Sequence, residues 1–226
     1  MTKLKGNENA TGSRPITKNH TPCPFTNSMI NMGYLHRNKN WTTQNIQDAL
    51  QQMKVSNGFT SLFIAKFVET PFKNQNLPLS AKTLRIHGTS EHDASMSRED
   101  YHLGDHVQFS KNRYNLIDKY FKNKTHITLK EFTEYRYHLY KKSLKENVKI
   151  IFGVNEYANC AGETCLIFIL LSENNKLSLK KMRNLFENET LYNIKYNSID
   201  FPTLGLCLIK YNSYWLGASL RDKYKF

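Results

Sequence analysis

Apolar residues spaced three and four apart are the feature that most restricts how this chain can fold. Ile46, Ala49, Leu50 and Met53 line one face of a helix opened by Thr42 and Thr43. Thr128-Leu129-Lys130-Glu131 has the form of a capping box, in which the Thr hydroxyl and the Glu carboxylate satisfy each other's free backbone N–H groups; it predicts a helix running to about Leu144. Shorter amphipathic stretches lie at 112–121 and 178–187. The mostly apolar stretch 148–171 is interrupted by Gly153 and Gly162 and reads as helix over 157–171, with the part before it open to strand or helix. A further apolar segment, 59–68, stops before Pro71 and leads into a polar loop at 73–82. The tail after Asn197, with Pro202 and Gly205, reads as irregular or short strands. The expected architecture is mainly α: one domain over 21–226 behind a flexible polar lead over 1–20.

Composition narrows the function classes. With 226 residues, 39% of them hydrophobic and 12% aromatic, the chain can bury a core or enclose a flat cofactor, which excludes wholesale disorder. No run approaches the roughly 20 apolar residues of a membrane span. Residues 1–20 carry Lys3, Lys5, Arg14 and Lys18 and no apolar signal core, so an intracellular location is expected. The net charge of +13 would suit nucleic acid or an anionic membrane. Its basic residues are spread along the whole chain, however, so no dedicated nucleic-acid surface is expected. The four cysteines, Cys23, Cys160, Cys165 and Cys207, form no CxxC and imply neither a disulfide framework nor a zinc finger.

Two motifs carry chemistry. In Thr21-Pro22-Cys23-Pro24, a cysteine precedes a proline suited to the first helical position, where free N–H groups and the helix dipole favour a thiolate able to ligate a metal. Taken alone, it also reads as a rigid turn with an inert thiol. In Ser90-Glu91-His92-Asp93-Ala94-Ser95-Met96-Ser97-Arg98-Glu99-Asp100, hard oxygen ligands sit beside a titratable imidazole. Taken alone, this reads equally as a solvated polar loop, or as part of a non-haem iron site using His87 and Glu91.

Together, Pro-Cys-Pro, the Met32-Gly33-Tyr34-Leu35-His36-Arg37-Asn38 segment and the downstream Glu-His-Asp-Ala-Ser motif resemble the haem-thiolate peroxidases, the family of chloroperoxidases and unspecific peroxygenases, in its short form. The resemblance implies a helical domain around haem b with Cys23 as proximal iron ligand. It also implies a magnesium ion held by Glu91, Ser95 and the backbone carbonyl of His92, which leaves the His92 imidazole for the distal pocket. The family's acid-base glutamate matches Glu163 in Ala161-Gly162-Glu163-Thr164, with Glu156 as competitor. Leu166 and Leu170 would share the face of Glu163, where desolvation raises a carboxyl pKa. Longer members support that glutamate with an arginine on the same helix; Glu156 stands at that place here, so support is expected from His92. Near the end, Glu189-Thr190-Leu191-Tyr192 keeps only the outline of the family's closing segment.

The implied activity is peroxide-dependent: hydrogen peroxide generates a ferryl oxidant that oxygenates or oxidises small organic substrates, or halide. Three alternatives remain: a haem-binding sensor without turnover, a basic module binding nucleic acid or a membrane surface, and a non-haem metal hydrolase using His87, Glu91 and His92. Phe59, Phe63 and Phe67 read as core packing rather than channel lining, and Cys160 and Cys165 as small buried hydrophobes.

Overall fold

The computed structural model describes residues 21–53, 55–56, 60, 77–88, 91–191 and 197–224. The expected polar lead, most of the apolar segment 59–68 with its three phenylalanines, and the first part of the loop at 73–82 lie outside the described residues. The chain is mainly helical, in the order α1 (Pro24–Asn31), α2 (Thr43–Gln52), α3 (Lys111–Tyr120), β1 (His126–Ile127), α4 (Leu129–Glu146), α5 (Val154–Leu171), β2 (Ser172–Glu173), β3 (Lys176–Ser178), α6 (Leu179–Asn188) and α7 (Phe201–Tyr224).

Side-chain caps set the helix starts. Thr42 and Asn45 form a reciprocal box at α2, and Thr128 and Glu131 form another at α4. Ser110 caps α3 and Ser178 caps α6. Helix α5 starts at Val154 and runs through Gly162 without a break; residues 148–153 before it are neither helix nor strand. The three short strands form an antiparallel sheet in the order β1-β3-β2, its hairpin closed by Asn174 and Asn175 at positive φ.

The tail is not irregular. From Phe201 to Tyr224 it forms the longest helix among the described residues. Asp200 accepts hydrogen bonds from the Thr203 amide and hydroxyl, both at 2.8 Å, and so caps the first turn. Pro202 stands in that first turn, where its missing N–H has no partner to lose. Burial of Leu204, Cys207, Tyr211 and Ala218 against α4 and α5 outweighs the low helix propensity of Gly205.

Candidate functional site

Cys23 is the N-cap of α1, in extended conformation with Pro24 behind it. Neighbours in sequence hold this turn. The Thr21 hydroxyl donates to the Cys23 carbonyl at 3.1 Å, and Asn27 exchanges hydrogen bonds with the backbone of Thr21 at 2.9 and 2.7 Å. The thiol is partly exposed. Burial pushes its pKa up, against the Thr26 hydroxyl and the amides of Thr26 and Phe25, which pull it down; the charge of Glu163 raises it further. At Cys23 burial therefore outweighs the pull of the helix-terminal amides.

The segment from Glu91 to Asp100 has no regular structure, yet nearly all of it is buried, so it is not a solvated loop. Buried backbone polar groups need partners, and the segment's own acids and a nearby arginine supply them. Asp93 accepts from the amides of Tyr101 (3.0 Å) and Ile151 (3.1 Å) and from Asn147. Asp100 accepts from the Ala94 amide at 2.9 Å. Arg113, on α3, reaches the Ser95 carbonyl at 2.9 Å and the Ser143 hydroxyl of α4 at 2.6 Å.

This framework aims His92. Its Nδ1 lies 2.7 Å from the Asp93 carbonyl, an acceptor only, so Nδ1 carries the proton and Nε2 faces the Glu163 carboxylate at 3.7 Å. Glu163 stands in the middle of α5 with its side chain 22% exposed. Its competitor Glu156 bonds the Gly153 amide at 2.8 Å and caps the same helix.

Arg136 is the residue that sequence reasoning missed. It lies on the buried face of α4 with Phe132, Leu139 and Ser143, and its Nη2 is 3.1 Å from Glu163 Oε2. Nη2 and Nε also donate to Cys160 Sγ at 3.0 and 3.2 Å, and that sulfur contacts the Tyr211 hydroxyl of α7 at 3.3 Å. Cys160 is buried as expected but serves as a polar anchor. An arginine at spacings of four and three from Phe132 and Leu139 was the available signal, since a charge on a core face needs a partner. Burial raises the Glu163 pKa, as the apolar face predicts, but Arg136, then His92 and Arg98, outweigh it and hold the carboxyl below its usual range. Among the described residues Glu163 Oε2 accepts no well-aligned hydrogen bond, leaving a buried anionic atom poised beside two cationic or protonatable groups.

Glu189 is a second residue that the sequence flagged only as a departure. It sits at positive φ after α6, and its carboxylate bridges Arg98 and Asn27, with Asn27 Nδ2 at 2.7 Å. Of the expected magnesium ligands, Glu91 is turned to His87, whose Nδ1 lies 2.8 Å from both oxygens, and the Ser95 hydroxyl accepts a long 3.5 Å bond from the Ser97 amide. His87, Glu91 and Asp93 do bring ligand atoms within 4.8 Å of one another. His92 takes no part in that group, since its ring is committed to Asp93 and Glu163.

Cys23 and Glu163, far apart in sequence, are thus within electrostatic reach of each other. A soft sulfur at a helix start and a carboxylate paired with Arg136 and His92 are residue types suited to holding a haem iron and to handling a proton. The chain is similar to the aromatic peroxygenase of Coprinellus radians, at 28% identity over 44% of this chain and 45% of that relative, so the match spans less than half the relative's length. Residues 14–198, most of the sequence, match the family described as peroxidase, family 2. The match takes in Cys23, the Glu91–Ser95 segment, Arg136 and Glu163, and on that extent the chain belongs to the family 2 peroxidases.

Proposed function

We propose that the protein is a haem-thiolate peroxidase or peroxygenase that uses hydrogen peroxide to oxidise or oxygenate small organic molecules. The observation that carries this reading is the Glu163 carboxylate, held between the buried Arg136 and His92 in a chain that also sets Cys23 at a helix start. Cys23 would hold haem through its sulfur. Bound there, haem supplies peroxide O–O cleavage and the oxidising power, with the thiolate donating electron density.

The remaining work falls to side chains. Glu163 rests as a carboxylate because Arg136 and His92 favour its charge, so Oε2 can accept a proton from peroxide and return it to the departing oxygen. His92, with Nδ1–H fixed on the Asp93 carbonyl, offers Nε2 as the group that shares that proton. Arg136, anchored on Cys160 and Tyr211, holds the carboxylate in place through the cycle. Such acid-base help is worth about 10²–10⁴-fold in rate. The magnesium ion at Glu91, Ser95 and the His92 carbonyl remains part of the proposal and requires Glu91 to exchange His87 for the ion.

The test is an absorption spectrum of protein from haem-supplemented cells, oxidised and then reduced under carbon monoxide. A strongly red-shifted Soret band that Cys23→Ala abolishes is expected. A colourless protein that cannot be reconstituted with haem overturns the proposal. Metal analysis of the same sample, with and without Glu91→Ala, checks the magnesium assignment.

A further inference from the structure

Helix α7 is apolar on two opposite faces. Leu204, Cys207, Tyr211 and Ala218 are buried against α4 and α5. At 100° per residue, Leu206, Ile209, Leu216 and Leu220 fall on the far side, and they are 46–66% exposed. Ser213, in the middle of this stripe, returns its hydroxyl to the Ile209 carbonyl at 3.1 Å and so presents little polarity of its own. The loop between α4 and α5 lies alongside, with Phe152 stacked against Trp215 and Tyr157 bonded to Asn212. That loop adds Val148, Ile151 and Val154, of which Val148 is 95% exposed. A helix facing water normally carries polar residues there, and a contiguous exposed apolar patch marks an interaction surface.

Charge selects the occupant. The basic residues of α7 border the stripe, Lys210 and Arg221 on one side, the latter paired with Glu134 of α4, and Lys223 on the other, and Lys149 lies in the adjacent loop. The one acid of α7, Asp222, is on the buried side, where it pairs with Lys141 at 2.9 Å. A second copy laid along the stripe would bring basic residues against basic residues. An anionic lipid surface would accept the apolar stripe at the level of its acyl chains and the lysines at its headgroups, and the net charge of +13 favours the same partner. No helix among the described residues is long and apolar enough to cross a membrane, so the contact is peripheral.

We propose that the outer face of α7, with the adjoining 148–154 loop, is a docking surface for an anionic lipid membrane, with the helix lying in the plane of the interface. The test mixes the full chain with vesicles of phosphatidylcholine containing phosphatidylserine, or of phosphatidylcholine alone, and reads co-sedimentation and tryptophan fluorescence. Wild type should partition onto the anionic vesicles and less onto the neutral ones. The double variant Ile209→Glu/Leu216→Glu should partition at least tenfold more weakly with unchanged helical circular dichroism. If that variant fails to fold, Leu206→Ser/Leu220→Ser replaces it and should lose most of the partitioning. Equal binding to neutral vesicles, or no loss in a folded variant, overturns the proposal. So does a concentration-dependent dimer, abolished by the same variants, in protein that ignores both kinds of vesicle; that result would assign the stripe to a second copy.

Discussion

The Cys23 turn and the surroundings of Glu163 are built differently. Around Cys23 the organising hydrogen bonds join residues no more than six apart, Thr21 to Asn27, with long-range ties from Asn27 and Asn31 of α1 to Glu189. Around Glu163 the groups that touch its carboxylate come from other parts of the chain, His92 from the buried irregular segment and Arg136 from α4, and Arg136 is anchored in turn on Cys160 of the same helix and Tyr211 of α7. A site made of neighbours forms wherever its tetrapeptide forms. A site made of distant groups depends on the packing of several helices, and it can hold a charge in the interior because packing also delivers the counter-charge.

That contrast can be broken experimentally, starting with its largest expected effect. Cys23→Ala should abolish the thiolate-type carbonyl spectrum while leaving helical content unchanged, because the turn is held by Thr21 and Asn27 rather than by sulfur. Glu163→Gln should keep haem and slow the reaction with peroxide by about 10²–10⁴-fold in stopped-flow absorbance; a wild-type rate would remove Glu163 from acid-base work.

Arg136→Met should act through Glu163 and on stability together. Removing one partner of a buried pair costs about 3 kcal/mol in denaturant unfolding, at the lower end of the usual range because Glu163 is partly exposed. The pH dependence has a definite sign. In the wild type the Glu163 pKa is depressed, so its stabilising charge is fully present above the ordinary glutamate range and is lost only as pH falls through the lower folded value. Without Arg136, burial is less opposed, and the acid limb of both stability and peroxide reactivity should move to higher pH. An acid limb that stays in place would show that Arg136 does not set the charge of Glu163.

Asn27→Ala probes the side-chain tie from α1 to the Glu189 carboxylate. Glu189 would lose one partner and keep Arg98, at a cost of about 1–3 kcal/mol in chemical denaturation. The smallest effect is expected from Thr128→Ala, which removes the α4 cap at about 1 kcal/mol and should leave the carbonyl spectrum untouched.

Sequence by itself determined the features that depend on near neighbours. The caps at Thr42, Thr128 and Ser178 state where helices begin, since a free N–H is satisfied within three residues. Pro-Cys-Pro places a sulfur at a helix start for the same reason, and the resemblance of the two motifs was enough to indicate the family. Only the tertiary structure decided that the Glu-His-Asp segment is buried, that Glu163 rather than Glu156 faces His92, and that the 201–224 tail is a helix. Pro202 and Gly205 read in sequence as breakers, but Pro202 falls in the first turn, where proline is tolerated, and burial of Leu204, Cys207 and Tyr211 against α4 and α5 overrides the low propensity of Gly205. Arg136 belongs to the same class: the ionisation of Glu163 is fixed by a charge on another helix, and no local pattern around Glu163 encodes where a different helix will place its guanidinium.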